Sequence, residues 1–529
     1  MTDLISAGEL ASLLSGSAPF ALIDVRDVGE YNSSHIPGSS LIPRRELEFR
    51  MHDSVPFLRA KVVVCDDDGQ RAALTAGMLT EMGYTNVSYL DGGMNRWVVE
   101  RFPTEWGVNV PSKEFGERVQ VEHGVPEITA TEFLERQGNG EKLVILDSRT
   151  PEEYQRACVP GARSVPGAEL ALRITDITDI TEALDEDTTV VVSCAGRTRS
   201  IVGTWILQRM GQRNLYGLEN GTAGWVLAGQ TLETGADRLE LPEPSAEGLA
   251  AAESYAARVG AEDAVRRLDM DGLAEMMRRR ERENVYLIDV RTQSEYEGGH
   301  IPGFQWHPGG QAVQRSDEVA AVHNCPVVFC CDRGVRATIT ASLFRQMGFD
   351  EVYAVEGGAE AWRASGFALE TVESGRLPSG YAQALEAVNF MSPEQLHSNS
   401  DSTVLFVDLS QDFARGHAPS ARWIPRGWLE FRIDSVAADK GAKLTVTCTD
   451  GLQATLAGAT LTNLGYRDVS VLEGGMKAWT AAGLPVETGL SGVMDPPTDV
   501  LPTGAGRNYA DMVNYLRWEE ALGDKYRRP

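Results

Sequence analysis

Four segments of this 529-residue chain carry the same landmarks in the same order at the same distances. That repetition constrains the fold more than any other feature, because it fixes the architecture before a single element is assigned. Each segment opens with an apolar strand ending in an acid: LIDVR (Asp24), VILDSR (Asp147), LIDVR (Asp289) and FVDLS (Asp408). A turn follows, EYNSSHIPGS, EYQRACVPGA, EYEGGHIPGF or DFARGHAPSA. A second apolar strand, KVVV, TVVVS, PVVF or LTVT, then runs into a short polar loop beginning at Asp66, Cys194, Cys331 and Cys448. From these four positions the glycine ending the next helix lies 17 residues on, at Gly83, Gly211, Gly348 and Gly465. A tryptophan lies 31 residues on, at Trp97, Trp225, Trp362 and Trp479. Two constant spacings in four copies mark a duplicated domain.

Within each copy, short buried strands alternate with helices of about 10 to 14 residues, the pattern of an α/β fold with a mostly parallel sheet covered by helices on both faces. Ligands of such sheets bind beyond the carboxyl ends of strands, which is where the polar loops fall. The expected boundaries are 1–108, 125–236, 262–374 and 388–489, with a C-terminal extension over 490–529 that ends in a helix, YADMVNYLRWEEALGDKY. The Ala/Glu-rich stretch LPEPSAEGLAAAESYAARVGAEDAV reads as a partly helical linker dividing the chain into two pairs, the first repeat with the second and the third with the fourth. The recurrent Trp and Asp read as core packing and turn hydrogen bonds, and His35, His300 and His417 as turn residues away from the loops.

A net charge of -27 argues against nucleic acid or an anionic membrane surface as the main partner. No segment has the 18 uninterrupted apolar residues that would span a bilayer, and the first residues do not have the order of a secretory signal. Seven cysteines, an odd number without close pairing, do not make a disulfide framework, so a reducing cytoplasm is the expected compartment.

The loops carry the chemistry. Cys194-Ala-Gly196-Arg197-Thr198-Arg199 and Cys331-Asp-Arg333-Gly334-Val-Arg336 each span six residues from cysteine to arginine and open a helix. With the flanking DVR, HIPG and GG-x-x-x-W elements, the chain resembles the rhodanese (thiosulfate sulfurtransferase) family over nearly its whole length. The resemblance implies four tandem rhodanese-like domains in which Cys194 and Cys331 take sulfane sulfur from thiosulfate or a related persulfide donor. Each would hold it as a persulfide and pass it to a thiol, cyanide or a protein acceptor, with no metal and no cofactor.

The residue types suit that chemistry. A thiolate is the nucleophile, and its pKa falls at a helix N-terminus or beside arginine. Backbone amides around Gly196, Thr198 and Gly334 would form an anion nest, and Arg197, Arg199, Arg333 and Arg336 would fork an oxyanion. Counted over six residues the loops carry +2 in the second repeat, +1 in the third, -2 in the first and -1 in the fourth. An anionic donor should therefore favour Cys194, then Cys331. The first repeat, with Asp66 in place of the nucleophile, should be dead, and Cys448, with no loop arginine, inert.

Counted from Cys65, CDDDGQR has the spacing of cysteine-dependent phosphatases, but the tryptophan is then 32 residues away instead of 31, and three aspartates would repel a phosphate. Cys65 thus matches Cys330 on the strand, and both read as structural. Cys158 stands where His35 and His300 stand in the turn and reads as a small residue, with a second thiol that resolves a persulfide as the alternative; Cys325 has no motif around it. Two further functions compete with sulfur transfer: a persulfide-binding or scaffolding protein, and, less well matched in loop length, a phosphatase or arsenate reductase.

Overall fold

The computed structural model describes residues 3–177, 188–371, 377–399 and 401–527; the expected end of the third repeat at 374 lies outside them. Each repeat forms one five-stranded parallel sheet, and all four sheets share one topology: numbered along the chain, the strands lie in the order 1-5-4-2-3. The central strand is the one that feeds the loop: Val62–Cys65, Thr189–Ser193, Val327–Cys330 and Lys443–Thr447. Its β-branched residues are buried because helices cover both faces, as a parallel sheet requires. In register, Asp24 lies opposite Cys65 and Asp289 opposite Cys330. Cys65 and Cys330 therefore end their strands, and Asp66 and Cys331 start the loops.

The recurrent landmarks hold each repeat together. Trp97 Nε1 donates to the carbonyl of Pro103 (2.8 Å), and Trp225, Trp362 and Trp479 repeat that bond to the residue six further on. Arg26, Arg149 and Arg291 fold back on Asp24, Asp147 and Asp289. His35 stacks on Tyr31 with ring centres 3.9 Å apart, its Nδ1 bonds the Tyr31 carbonyl, and its backbone bridges Glu105. Cys158 makes the same bridge to Glu233.

The pairing differs from the expectation. Contacts divide the chain into one unit of Met1–Val108 with Ser374–Leu501 and another of Asn109–Glu373 with Pro502–Pro529. The first repeat thus pairs with the fourth and the second with the third. The cause is the segment after the third strand, which reaches across to the other repeat of its pair. In the first unit Trp428 lies over the Arg71 guanidinium (4.0 Å), Arg44 meets Glu430 and Arg426 meets Glu48. In the second, Glu169 meets Arg336 at 2.6 Å.

Nor does the Ala/Glu-rich stretch divide two pairs. It forms the helix Ala246–Glu262, which packs on the helices Val335–Gln346 and Leu170–Arg173 and so ties the second repeat to the third. Arg209 of the second repeat holds its end through Glu262 (2.6 Å) and Asp263 (3.2 Å). A helix not anticipated from the sequence, Val110–His123, packs in the same way on Thr198–Met210. The C-terminal extension does contain a helix, Tyr509–Ala521, whose Met512 and Leu516 are buried against Ala223 of the second repeat. Among the described residues no helix is long and apolar enough to cross a membrane.

Candidate active site

Each loop is braced from behind by the GG or NG pair that precedes the tryptophan. The Cys194 carbonyl accepts from the amide of Thr222 (2.8 Å), the Cys331 carbonyl from Ala359 (2.8 Å) and the Cys448 carbonyl from Met476 (2.9 Å). The approach is so close that a Cβ on Gly221 or Gly358 would lie 2.1 Å from the cysteine carbonyl oxygen. Both glycines also have positive φ (51° and 53°), so only glycine fits there. The constant distance to the tryptophan follows from this brace.

In three repeats the residue at the loop start sits in a cradle of backbone amides. Cys331 Sγ accepts from Gly334 N (3.1 Å), and Cys448 Sγ from Gly451 N (3.1 Å) and Ala454 N (3.4 Å). In the first repeat the Asp66 carboxylate takes the same donors, Gly69 N (2.5 Å) and Ala72 N (3.1 Å). The second repeat is built differently. Its glycine comes one residue earlier, at Gly196, and Arg197 already has helical angles ahead of Thr198–Met210. Cys194 Sγ donates to Ser200 Oγ (3.4 Å), which in turn donates to the Arg197 carbonyl (2.8 Å).

The loop arginines face carboxylates that a count over the loop alone leaves out. Arg199 is held in both forks by Glu153 (2.6 and 2.8 Å). Arg336 is held by Glu295 (2.6 and 2.8 Å), Asp332 (3.0 Å) and Glu169 (2.6 Å). Glu153 and Glu295 are the capping-box glutamates of the short helices after the DSR and DVR turns, and Arg71 binds their counterpart Glu30 (2.7 Å). Arg197 is clasped by Glu117 (2.6 Å) with Glu127 and Glu520 at 3.6 and 3.5 Å, and the exposed Arg333 pairs with Glu360 (2.8 Å). The expectation of positive loops is thereby corrected: counted with the groups that face them, neither the Cys194 nor the Cys331 loop is positive. Burial pushes Glu153 and Glu295 up, but their arginine bonds outweigh it and hold both at about 2.

The thiols shift the other way from the lowered pKa expected of a loop nucleophile. Cys194 is 2% exposed, and its burial pushes the thiol up against the opposing pull of Arg199, Ser200 and Gly196. Burial and the adjacent Asp332 push Cys331 up to about 12, and burial pushes Cys448 up to about 11. Residues of the C-terminal extension lie over the Cys194 loop: Thr198 Oγ1 donates to Glu519 at 2.7 Å. Beside the Cys331 loop a cleft of about 1210 Å³ opens, with Asp332, Arg333, Glu360, Arg173 and Trp306 in its walls. Cys65, Cys158, Cys325 and Cys330 are buried and free of disulfides.

Glu153 and Glu295 had a signal in the sequence, the Glu-Tyr that opens the turn in the first three repeats. Glu117, Glu169 and Glu519 had none, because they come from other elements.

Four parallel sheets, each delivering a cysteine or its replacement from the central strand into a helix start, define a tandem-repeat α/β protein with thiol loops. The Rhodanese-like domain model matches residues 6–100, 129–228, 272–365 and 392–482, and the chain belongs to the rhodanese-like family. The crystal structure of a thiosulfate sulfurtransferase from Pseudomonas aeruginosa is 36% identical, covering 99% of this chain and 97% of that one with a TM-score of 0.88. A thiosulfate sulfurtransferase from Azotobacter vinelandii is 27% identical over 246 residues, 40% of this chain and 89% of that protein. The uncharacterized protein YqhL of Bacillus subtilis is 40% identical over 76 residues, 14% of this chain and 59% of that protein. These relatives place the chain among rhodanese-type sulfurtransferases.

Proposed function

We propose that the protein moves sulfane sulfur from thiosulfate or a related donor to a thiol or cyanide through a cysteine persulfide, with Cys194 the main carrier and Cys331 a second. The Cys194 thiolate attacks the outer sulfur of thiosulfate; the new S–S bond forms as the sulfur–sulfonate bond breaks, and sulfite leaves with the electron pair. An acceptor thiolate or cyanide then attacks the terminal sulfur, and the cysteine thiolate leaves. To donor binding we assign Gly196, Arg197, Thr198 and Arg199 at the first carrier and Arg333, Gly334 and Arg336 at the second. No residue in this scheme holds a metal, and the setting we infer is the reducing cytoplasm, where thiols persist.

The observation that carries the reading is the Asp66 carboxylate in the amide cradle of the first repeat. A cradle that accepts a carboxylate at that side-chain tip suits a thiolate or persulfide anion at Cys331 in the third repeat, and around Cys194 the Arg199 guanidinium and the amides of Ser200 and Gly196 pull in the same direction. Both loops with cysteine and arginine fall in the unit of Asn109–Glu373, and both degenerate loops in the other. We therefore assign the chemistry to the second and third repeats together. Thiocyanate formation from thiosulfate and cyanide in Cys194→Ser, Cys331→Ser and the double variant tests this. We expect a large loss in the first, a smaller one in the second and none left in the third; full activity in the double variant overturns it.

Burial of both thiols favours a second reading, a persulfide-binding protein with little turnover. Stable gain of one sulfur atom on Cys194 without thiocyanate release selects it.

A further inference from the structure

The C-terminal extension lies outside the four matched repeats, yet it touches the Cys194 loop directly. Met512 and Leu516 anchor its helix against Ala223, and Lys525 pairs with Glu114 at 2.8 Å to fix the segment beyond it. Above the loop, a Cβ on Gly196 would lie 3.5 Å from Glu519 Oε2, 3.9 Å from Leu516 and 4.0 Å from the Tyr515 ring. A Cβ on Gly504 would lie 3.2 Å from that of Ala195. The extension thus leaves no more than the space of a methyl group above the two residues that follow the cysteine.

This roof brings negative charge. Glu519 is 2% exposed and accepts from Thr198 Oγ1 through its other oxygen, while Glu520 lies 3.5 Å from Arg197. Glu117, Glu127 and Glu153 already face the two loop arginines. Five acidic side chains therefore face the two loop guanidiniums, with burial pushing Glu127 up to about 7; the cations at the roof are Arg507, 4.3 Å over the Tyr515 ring, and the Lys113 ammonium over the Tyr515 and Trp518 rings (5.2 and 5.3 Å).

We infer that Glu519 and Glu520 are specificity-determining residues of the Cys194 site, selecting neutral or monoanionic persulfide donors over dianions such as thiosulfate. The inference rests on the proposal that Cys194 carries sulfur. Coulomb energy scales with the product of the charges, so a fixed carboxylate repels a dianion twice as strongly as a monoanion and a net-neutral donor hardly at all. Even at the dielectric constant of water, one carboxylate within a few ångströms of the donor is worth on the order of a factor of ten against a dianion.

The test uses the full chain carrying Cys331→Ser, so that Cys194 is followed alone. Its loading by thiosulfate and by cysteamine persulfide, which has no net charge as the persulfide anion, is timed by intact mass. Glu519→Gln keeps an oxygen to accept from Thr198 and removes the charge. We expect the thiosulfate-to-cysteamine-persulfide ratio of loading rates to rise by about three- to tenfold. Added salt should speed thiosulfate loading of the parent by screening the repulsion, and do so less in Glu519→Gln. A structural role alone would leave that salt dependence unchanged. If Glu519→Gln fails to fold, Glu520→Gln, at a half-exposed position, should shift the ratio in the same direction. Loading that depends on Cys194 with an unchanged ratio overturns the inference and leaves the sulfur-carrier proposal standing. Failure of Cys194 to load from either donor overturns both.

Discussion

Asp66 Oδ2 accepts the amide hydrogen of Ala72 at 3.1 Å, the bond that Ala454 N gives to Cys448 Sγ at 3.4 Å in the fourth repeat. A carboxylate thus satisfies, in the first repeat, the donors that sulfur satisfies in the third and fourth. Its second oxygen takes the amide of Gly69, so both donors are occupied from within the loop.

The first prediction follows from that pair. Asp66→Asn offers one acceptor oxygen where two are needed and turns an NH2 group toward an amide donor. One buried amide is stranded, and the variant should lose about 1–3 kcal/mol in urea unfolding. Asp66→Cys restores an acceptor that both amides can share, so its stability should recover part of that loss. It should also add a thiol that alkylates when the loop opens, counted by intact mass. An Asp66→Asn protein as stable as the parent would remove the cradle argument.

Much of the fold was legible in the sequence because its grammar is local. The strand-ending acids, the helix-ending glycines at constant distance and the tryptophans each act within one repeat, and Gly221 and Gly358 show why the spacing to the loop cannot drift. The pairing of repeats was not legible. It depends on Glu169 reaching Arg336 and Trp428 reaching Arg71, contacts between residues more than 160 positions apart that carry no periodic pattern. Loop charge misled for a related reason. The cysteine and arginine positions could be read directly, but the carboxylates that neutralise Arg197 come from the helix Val110–His123 and the C-terminal extension. A count confined to six residues cannot include them.

The second prediction concerns acid. Glu153 and Glu295 are held at about 2 by Arg199 and Arg336 despite burial that pushes them up, against an ordinary value of 4.5. Carboxylates depressed in the folded state stabilise it fully above their unfolded pKa, and that contribution is lost as pH falls from about 4.5 through about 2. Each is worth on the order of 3 kcal/mol at neutral pH. Urea midpoints should therefore fall steeply between about pH 5 and pH 2. In Glu153→Gln the fall should be shallower, from a lower starting stability. An equal slope would show that Glu153 is not depressed.

The third prediction isolates Arg336, which is 1% exposed and faces Glu169, itself 2% exposed, with Glu295 and Asp332. Arg336→Met removes the guanidinium shared by Glu169, Glu295 and Asp332 and leaves the buried Glu169 with Arg173 alone (3.1 Å). Breaking one partner out of a buried ion pair costs about 3–5 kcal/mol, whereas an exposed pair such as Arg333–Glu360 is worth about 1 kcal/mol at most. Arg336→Met should therefore lower the urea midpoint far more than Arg333→Met does. Near-equal losses would mean that the three-carboxylate clasp is not a stabilising element.

The last prediction uses thiol reactivity to read the roof over Cys194. Only the thiolate alkylates, and burial pushes Cys331 up to about 12 and Cys448 up to about 11, with Cys194 also raised. Iodoacetamide should therefore label the intact protein slowly at neutral pH, with rates climbing about tenfold per pH unit up to about pH 10, as thiolate fraction dictates. Cys194 differs from the other two in what covers it, since Leu516 and Tyr515 belong to a helix anchored by a small apolar cluster. Leu516→Ala removes one of the two buried side chains of that anchor at a cost of about 2–4 kcal/mol, and the cost falls on the helix before it falls on the sheet. The roof should open more often, and Cys194 labelling should rise by about an order of magnitude while Cys331 and Cys448 serve as internal references. Peptide mapping of the alkylated protein measures all three at once. Equal acceleration at Cys194 and Cys331 would mean the substitution loosened the whole unit that holds them. No acceleration at Cys194 would mean that its burial comes from the repeat itself and not from the extension.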